Sequence, residues 1–141
     1  MNIKIVRIEK DLPLPEYKTS GAVGFDLYAR TETTLPPHKV MLVPTNLIVE
    51  VPKGHALLVL SRSSTTKKGL WLANGVGVVD SDYHGPTDEI QLAAYNFTEN
   101  DVVVLRGERI AQALIVPVVR AEWEEVEIIK EESRGGFGST G

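Results

Sequence analysis

The chain has 141 residues, 43% of them hydrophobic and 24% charged, which suits one soluble domain with a real core. A net charge of −4 gives no general attraction to nucleic acid, and no apolar run approaches the ~20 residues that a membrane helix needs. The absence of cysteine excludes disulfides, thiolate zinc sites and a cysteine nucleophile; with an N-terminus too interrupted by charge for a secretory signal, it points to the cytoplasm.

Short β-like runs bounded by turn residues recur along the chain. Ile3–Ile8 comes first, followed by Leu12-Pro13-Leu14-Pro15, which cannot be helix interior. An extended stretch from Gly21 to Ala29 carries Asp26 among apolar residues. Leu35-Pro36-Pro37-His38 turns the chain into Val40–Val43. Leu47–Val51 and Ala56–Leu60 flank Pro52-Lys53-Gly54, which reads as a hairpin turn. The polar, basic segment Ser61–Gly69 suits a short helix opened by a serine cap. Further strands are expected at Val76–Val79, Ile90–Tyr95, Val102–Leu105 and Ile110–Val116, and a last one where Val126 and Ile128 alternate with Glu125 and Glu127. With no long amphipathic helix, the pattern is all-β: a sandwich, jelly roll or barrel. Residues 1–132 are expected to form a single β domain. Residues 133–141, rich in glycine, have too little apolar surface to offset their ordering entropy and read as a mobile arm.

The chemistry concentrates in Asn74-Gly75-Val76-Gly77-Val78-Val79-Asp80-Ser81-Asp82-Tyr83-His84-Gly85. Asn74-Gly75 is a strong turn dipeptide, and the valines suit a strand that delivers Asp80 to its end. A carboxylate placed there can act as a general base on water. Aspartates in such a place also simply cap turns. The terminal Arg134-Gly135-Gly136-Phe137-Gly138-Ser139-Thr140-Gly141 combines glycine amides, an arginine and two hydroxyls, which suit phosphate, with a ring that can cover a base.

Five segments in order resemble the motifs of the trimeric deoxyuridine triphosphatases (dUTPases). They are Ala22–Ala29, Arg62-Ser63, Gly77–Gly85, Arg106-Gly107-Glu108-Arg109-Ile110-Ala111-Gln112 and Arg134–Gly141. The resemblance implies a jelly-roll-like β-barrel, a homotrimer, Mg²⁺ as cofactor, and hydrolysis of dUTP to dUMP and pyrophosphate. That reaction limits uracil in DNA and supplies dUMP for thymidylate synthesis. Asp80 would activate the water that attacks the α-phosphorus, and Gln112 would bond to phosphate or to that water. Arg62, Ser63 and Ser64 would hold phosphate oxygens. Asn74 and the backbone of Gly77, Val78 and Val79 would read the uracil edge, with Gln91 among the substrate contacts. Tyr83 would lie against the deoxyribose and leave no room for a 2′-hydroxyl. Arg134, Gly138, Ser139 and Thr140 would close on the β- and γ-phosphates while Phe137 stacks over uracil. Asp26 would help place the metal's waters or brace the site, and Arg109 would brace the site or an interface.

Two departures from the family pattern stand out. Ser64 takes the place of the second motif's usual glycine, and Pro86-Thr87-Asp88 looks inserted after the third. Two rival readings accompany the first. The related deoxycytidine triphosphate deaminase shares the fold but needs a glutamate in the strand after the third motif. The corresponding position is Ile90 or Ala93 here, with Glu89 beside it. A non-catalytic nucleotide-binding module is the other, against which the intact Asp80, Gln112 and Phe137 speak.

Overall fold

A computed structural model describes residues 1–136. Eleven short strands and one helical turn make up the regular structure: β1 (Ile5–Arg7), β2 (Phe25–Tyr28), β3 (Thr33–Leu35), β4 (Val40–Pro44), β5 (Leu47–Val49), β6 (His55–Ser61), α1 (Ser63–Lys67), β7 (Leu70–Leu72), β8 (Gly77–Val79), β9 (Gln91–Asn96), β10 (Val102–Val104) and β11 (Arg109–Pro117). The strands pair only antiparallel, in four sheets: β1-β5, β10-β3, β2-β11-β6-β8 and β4-β9-β7. The fold is the all-β, jelly-roll-like one expected.

Alternation explains how these short strands share one core. Along β9, Leu92 and Ala94 turn inward beside the fully buried Leu27, Leu35, Leu57, Leu70 and Ile110, while Gln91 faces out. Burying such side chains is worth roughly 1.5–3 kcal/mol each and is the main force holding the sheets together. Asn96, fully buried at the end of β9, links two sheets. Its Nδ2 donates to the carbonyls of Leu35 and Asn100, at 2.8 and 2.7 Å, and its Oδ1 accepts from the Thr98 amide and hydroxyl.

Several expectations are corrected. Pro52-Lys53-Gly54 does form a turn, with the His55 amide donating to the Pro52 carbonyl, but it closes no hairpin. β5 pairs with β1, and β6 with β11 and β8, so the chain changes sheets there. Asn74-Gly75 likewise joins β7 and β8, which lie in different sheets. The helix has Arg62, not a serine, at its N-cap, with no side-chain cap bond. Val126 and Ile128 form no strand: residues 121–136 are exposed throughout, including Trp123 at 94% and Ile129 at 95%. The alternation there is real, but the described residues offer that segment no strand partner. No helix among the described residues is long and apolar enough to cross a membrane.

Replacing Asn96 by alanine leaves the Leu35 carbonyl and the Thr98 amide without partners in the interior. Asn96→Ala should cost about 2–4 kcal/mol of stability. The measurement is urea unfolding, and an unchanged midpoint would contradict the sheet-linking role.

Candidate active site

Because β7 and β8 part at Asn74-Gly75, β8 becomes an edge strand. One side pairs with β6, with Val59 opposite Gly77, Leu58 opposite Val78 and Leu57 opposite Val79. Its other side has no strand partner among the described residues and borders a cleft of about 230 Å³. Leu72, Ile90 and Ala93 supply apolar walls; Asn74, Asp80, Tyr83 and Gln91 supply polar groups. Seven of the expected site residues therefore come together: Asn74, Gly77, Val78, Val79, Asp80, Tyr83 and Gln91 all line this cleft. An unpaired strand edge presents amides and carbonyls at fixed spacing, which suits the donor and acceptor edge of a flat heterocycle. Gly77 sits closely against the neighbouring strand, since a Cβ there would stand 3.2 Å from Val59 Cβ.

Asp80 follows β8 directly and its side chain makes no hydrogen bond or ion pair among the described residues. Asp80 is exposed. Tyr83 is half exposed, its hydroxyl donating to the Glu89 carbonyl at 3.2 Å.

A second cluster gathers around Asp26. Its Oδ1 lies 2.8 Å from Arg62 Nε and its Oδ2 3.1 Å from Arg109 Nη1. With both oxygens engaged by guanidinium groups, Asp26 holds two cations beside it, Arg62 and Arg109. Arg62 Nη1 also donates to the Arg109 carbonyl at 3.0 Å and to Ser64 Oγ at 3.1 Å. The serine that replaces glycine thus helps to hold Arg62. Strand β11 fixes α1 from the other side. Thr65 Oγ1 donates to the Ile110 carbonyl at 2.7 Å, and Lys68 Nζ meets Glu108 at 2.6 Å. Gln112 lies opposite Asp26 on one side and Leu60 on the other, its Nε2 donating to the Ser61 carbonyl at 3.1 Å. Ser63 and Ser64 are exposed at the start of the helix, where amides have no intrahelical acceptor.

The register keeps Asp80 and Arg62 apart within one chain. Leu57 opposite Val79 puts Asp80 beside Ala56, whereas Arg62 follows the far end of β6. Six residues of strand separate those positions, about 20 Å at the usual rise. The cleft and the arginine cluster are distinct surfaces of a single chain.

Of the terminal motif, Arg134 is exposed. Phe137, Gly138, Ser139 and Thr140 lie outside the described residues. The positions that a deaminase glutamate would occupy, Ile90 and Ala93, both line the cleft as apolar walls. Glu89 is instead buried against Arg30, at 2.8 and 2.9 Å. Neither its pairing with Arg30 nor that of Asp26 with Arg62 was visible beforehand, because the partners are far apart in sequence.

The chain is an all-β, jelly-roll-like protein with a backbone-edged cleft and a separate arginine cluster. Comparison with known proteins agrees: a family profile described as dUTPase matches residues 10–141. Deoxyuridine 5'-triphosphate nucleotidohydrolases from Dictyoglomus turgidum and Caldanaerobacter subterraneus are 40% and 44% identical to it, covering 100% and 99% of this chain and 99% and 97% of their own. The crystal structure of dUTPase from Streptococcus mutans superposes with a TM-score of 0.76 at 31% identity, over 87% of this chain and 100% of that one. A Staphylococcus bacteriophage 80alpha dUTPase with dUpNHpp shares the fold, with a TM-score of 0.84 at 24% identity, over 99% of this chain and 98% of that one. The chain belongs to the dUTPase family.

Asp26→Asn would leave Arg62 and Arg109 facing each other with a weaker acceptor between them. Stability should fall by about 1–3 kcal/mol. Chemical denaturation checks this, and a wild-type midpoint would show that the two cations do not depend on Asp26.

Proposed function

We propose that this chain hydrolyses dUTP to dUMP and pyrophosphate, in a site completed by a second copy of itself. The observation that carries the reading is the cleft along the free edge of β8, where Asn74, Gly77, Val78 and Val79 stand beside an unpartnered carboxylate. Uracil carries an N–H between two carbonyls, so an acceptor between donors fits it, and cytosine would leave such groups unpaired. Tyr83 lies against the deoxyribose. Asp80 takes a proton from water, whose oxygen bonds to the α-phosphorus as the bond to the bridging oxygen breaks and pyrophosphate leaves. Limiting uracil in DNA and supplying dUMP are the consequences of that reaction.

Arg62, Ser63, Ser64 and Gln112 receive the phosphates, with Arg62 held ready by Asp26. Paired guanidinium bonds suit phosphate oxygens. Because Arg62 lies about 20 Å from Asp80 along the same sheet, this group serves the Asp80 of a neighbouring subunit. A homotrimer provides such neighbours in a closed ring. The exposed Val119, Trp123 and Ile129 support an assembly, since large apolar side chains left in solvent gain by finding a partner surface. Arg134, Phe137, Gly138, Ser139 and Thr140 close over the phosphates and the base.

The donor set fits Mg²⁺ rather than a metal held in a protein cage. No group of three or more metal-binding side chains occurs among the described residues, and Asp80 and Asp82 offer only hard oxygens. They would meet the ion through its waters, as Mg²⁺ sheds water reluctantly, while phosphate oxygens bind it directly. When bound it neutralises charge on the triphosphate. Asp26 would join them only by giving up a guanidinium.

The deciding experiment is steady-state turnover of dUTP against Asp80→Asn, with Mg²⁺ and in excess chelator. The wild type should release dUMP and pyrophosphate, and the variant should lose about 10²–10⁴ in kcat. Chelator should abolish turnover, and Mg²⁺ should restore it. An unchanged rate in Asp80→Asn would mean that another group is the base.

A further inference from the structure

We propose that the Gly85–Asp88 turn and the pairing of Arg30 with the buried Glu89 form a brace that fixes the Tyr83 hydroxyl and thereby sharpens discrimination between deoxyribose and ribose. The inference rests on the dUTP reading. Tyr83 is 42% exposed, so packing alone does not hold its ring in one rotamer. What ties it is one bond, from its hydroxyl to the Glu89 carbonyl at 3.2 Å.

That carbonyl belongs to one of the most firmly held residues in the chain. Glu89 accepts two bonds from Arg30, at 2.8 and 2.9 Å, and a third from the Asn46 amide at 2.7 Å. The Arg30 amide donates in turn to the Pro44 carbonyl at 2.8 Å. Asn46 sits at φ +70°, with its side chain bonded both to the Glu9 amide at 2.7 Å and to the Glu9 carbonyl at 3.0 Å. The next residue is held equally well: the Ile90 carbonyl accepts from Thr45 Oγ1 at 2.7 Å, and its amide donates to Leu47 at 2.9 Å. A buried carboxylate satisfied by three donors is costly to displace.

Pro86-Thr87-Asp88 gives the chain the path from Tyr83 back to Glu89. Asp88 N donates to the Gly85 carbonyl at 3.1 Å, with proline next after Gly85, where a β-turn favours it. Asp88 Oδ2 then accepts from Gly85 N at 2.6 Å and locks the turn a second time. A Cβ at Gly85 would lie only 2.9 Å from that oxygen, so glycine gives the carboxylate its place. The residues that look inserted relative to the family motif thus bring the anchored carbonyl to the tyrosine. Asp88, Glu89 and Arg30 are positioning residues, acting through Tyr83.

The test compares kcat/KM for dUTP and UTP, and the melting temperature, in Asp88→Ala, Asp88→Asn, Glu89→Gln and Tyr83→Phe. Tyr83→Phe keeps the ring and removes the anchor, and its dUTP-over-UTP preference should fall by about tenfold, the worth of one hydrogen bond. Asp88→Ala should lower the preference in the same direction while keeping kcat for dUTP within about twofold, since it touches no substrate. Asp88→Asn, which can still accept from Gly85, should restore most of the preference. The double variant Asp88→Ala/Tyr83→Phe should discriminate no worse than Tyr83→Phe alone, because both changes break one linkage. Glu89→Gln should behave like Asp88→Ala if it folds; the turn variants decide the matter if it does not. A folded Asp88→Ala with wild-type preference, or additive losses in the double variant, overturns the brace. A wild-type chain that does not turn over dUTP overturns the reading beneath it as well.

Discussion

The constraint on which this architecture turns is that β7 and β8, though joined by the tight Asn74-Gly75 turn, belong to different sheets. Two strands joined so closely would ordinarily pair and satisfy each other's backbone. Here β7 takes β9 as its partner and β8 takes β6, so one edge of β8 is left open beside the apolar side chains of Leu72, Ile90 and Ala93. An open edge is a hazard in a longer strand. In one of three residues it borders a small cleft and presents amides and carbonyls at positions fixed by the backbone. The adjoining core residues Leu57, Val59 and Leu92 make that surface rigid.

The second surface is organised by charge. Arg62 and Arg109 approach each other because Asp26 stands between them, one oxygen to each. Two guanidiniums and one carboxylate leave a net positive charge, which is what a polyphosphate requires. The brace costs little in flexibility. Asp26 is part of β2, Arg109 opens β11, and Arg62 is bonded to both the Arg109 carbonyl and Ser64. The cations are thus held in place before any ligand arrives.

Much of this was legible in the sequence, and the gaps have physical causes. Runs such as Ile110–Val116 and Ile90–Tyr95 announce strands because each is a six- or seven-residue, largely apolar stretch bounded by polar or turn-forming segments. Thr33-Thr34-Leu35 and Leu70-Trp71-Leu72 are too short to show a period, and went unread. Pro52-Lys53-Gly54 and Asn74-Gly75 declare turns correctly, but whether the flanking strands pair is decided by distant partners, β1 for β5 and β9 for β7. The alternation of Val126 and Ile128 signals an extended amphipathic segment without saying which surface covers it. At the site, Asp80, Asn74 and Gln112 could be named from their motifs because motifs are local. The pairings that fix the site, Arg62 with Asp26 and Arg30 with Glu89, cross many residues and carry no local signature. Asp88 looked like an unexplained insertion until its carboxylate was seen on the Gly85 amide.

The proposed reaction needs Asp80 and Arg62 together, although the strand register holds them at opposite ends of one chain's sheet. Subunit mixing tests this most directly. Asp80→Asn and Arg62→Ala chains, each nearly inactive alone, are unfolded together, refolded and assayed for dUTP hydrolysis, with exchange verified by a mass tag on one of them. If a site joins the Asp80 of one subunit to the Arg62 of the next, random mixing restores both groups in about one site in four, and activity returns. If both groups come from the same chain, every site keeps one defect, and the verified mixture stays as inactive as its parts.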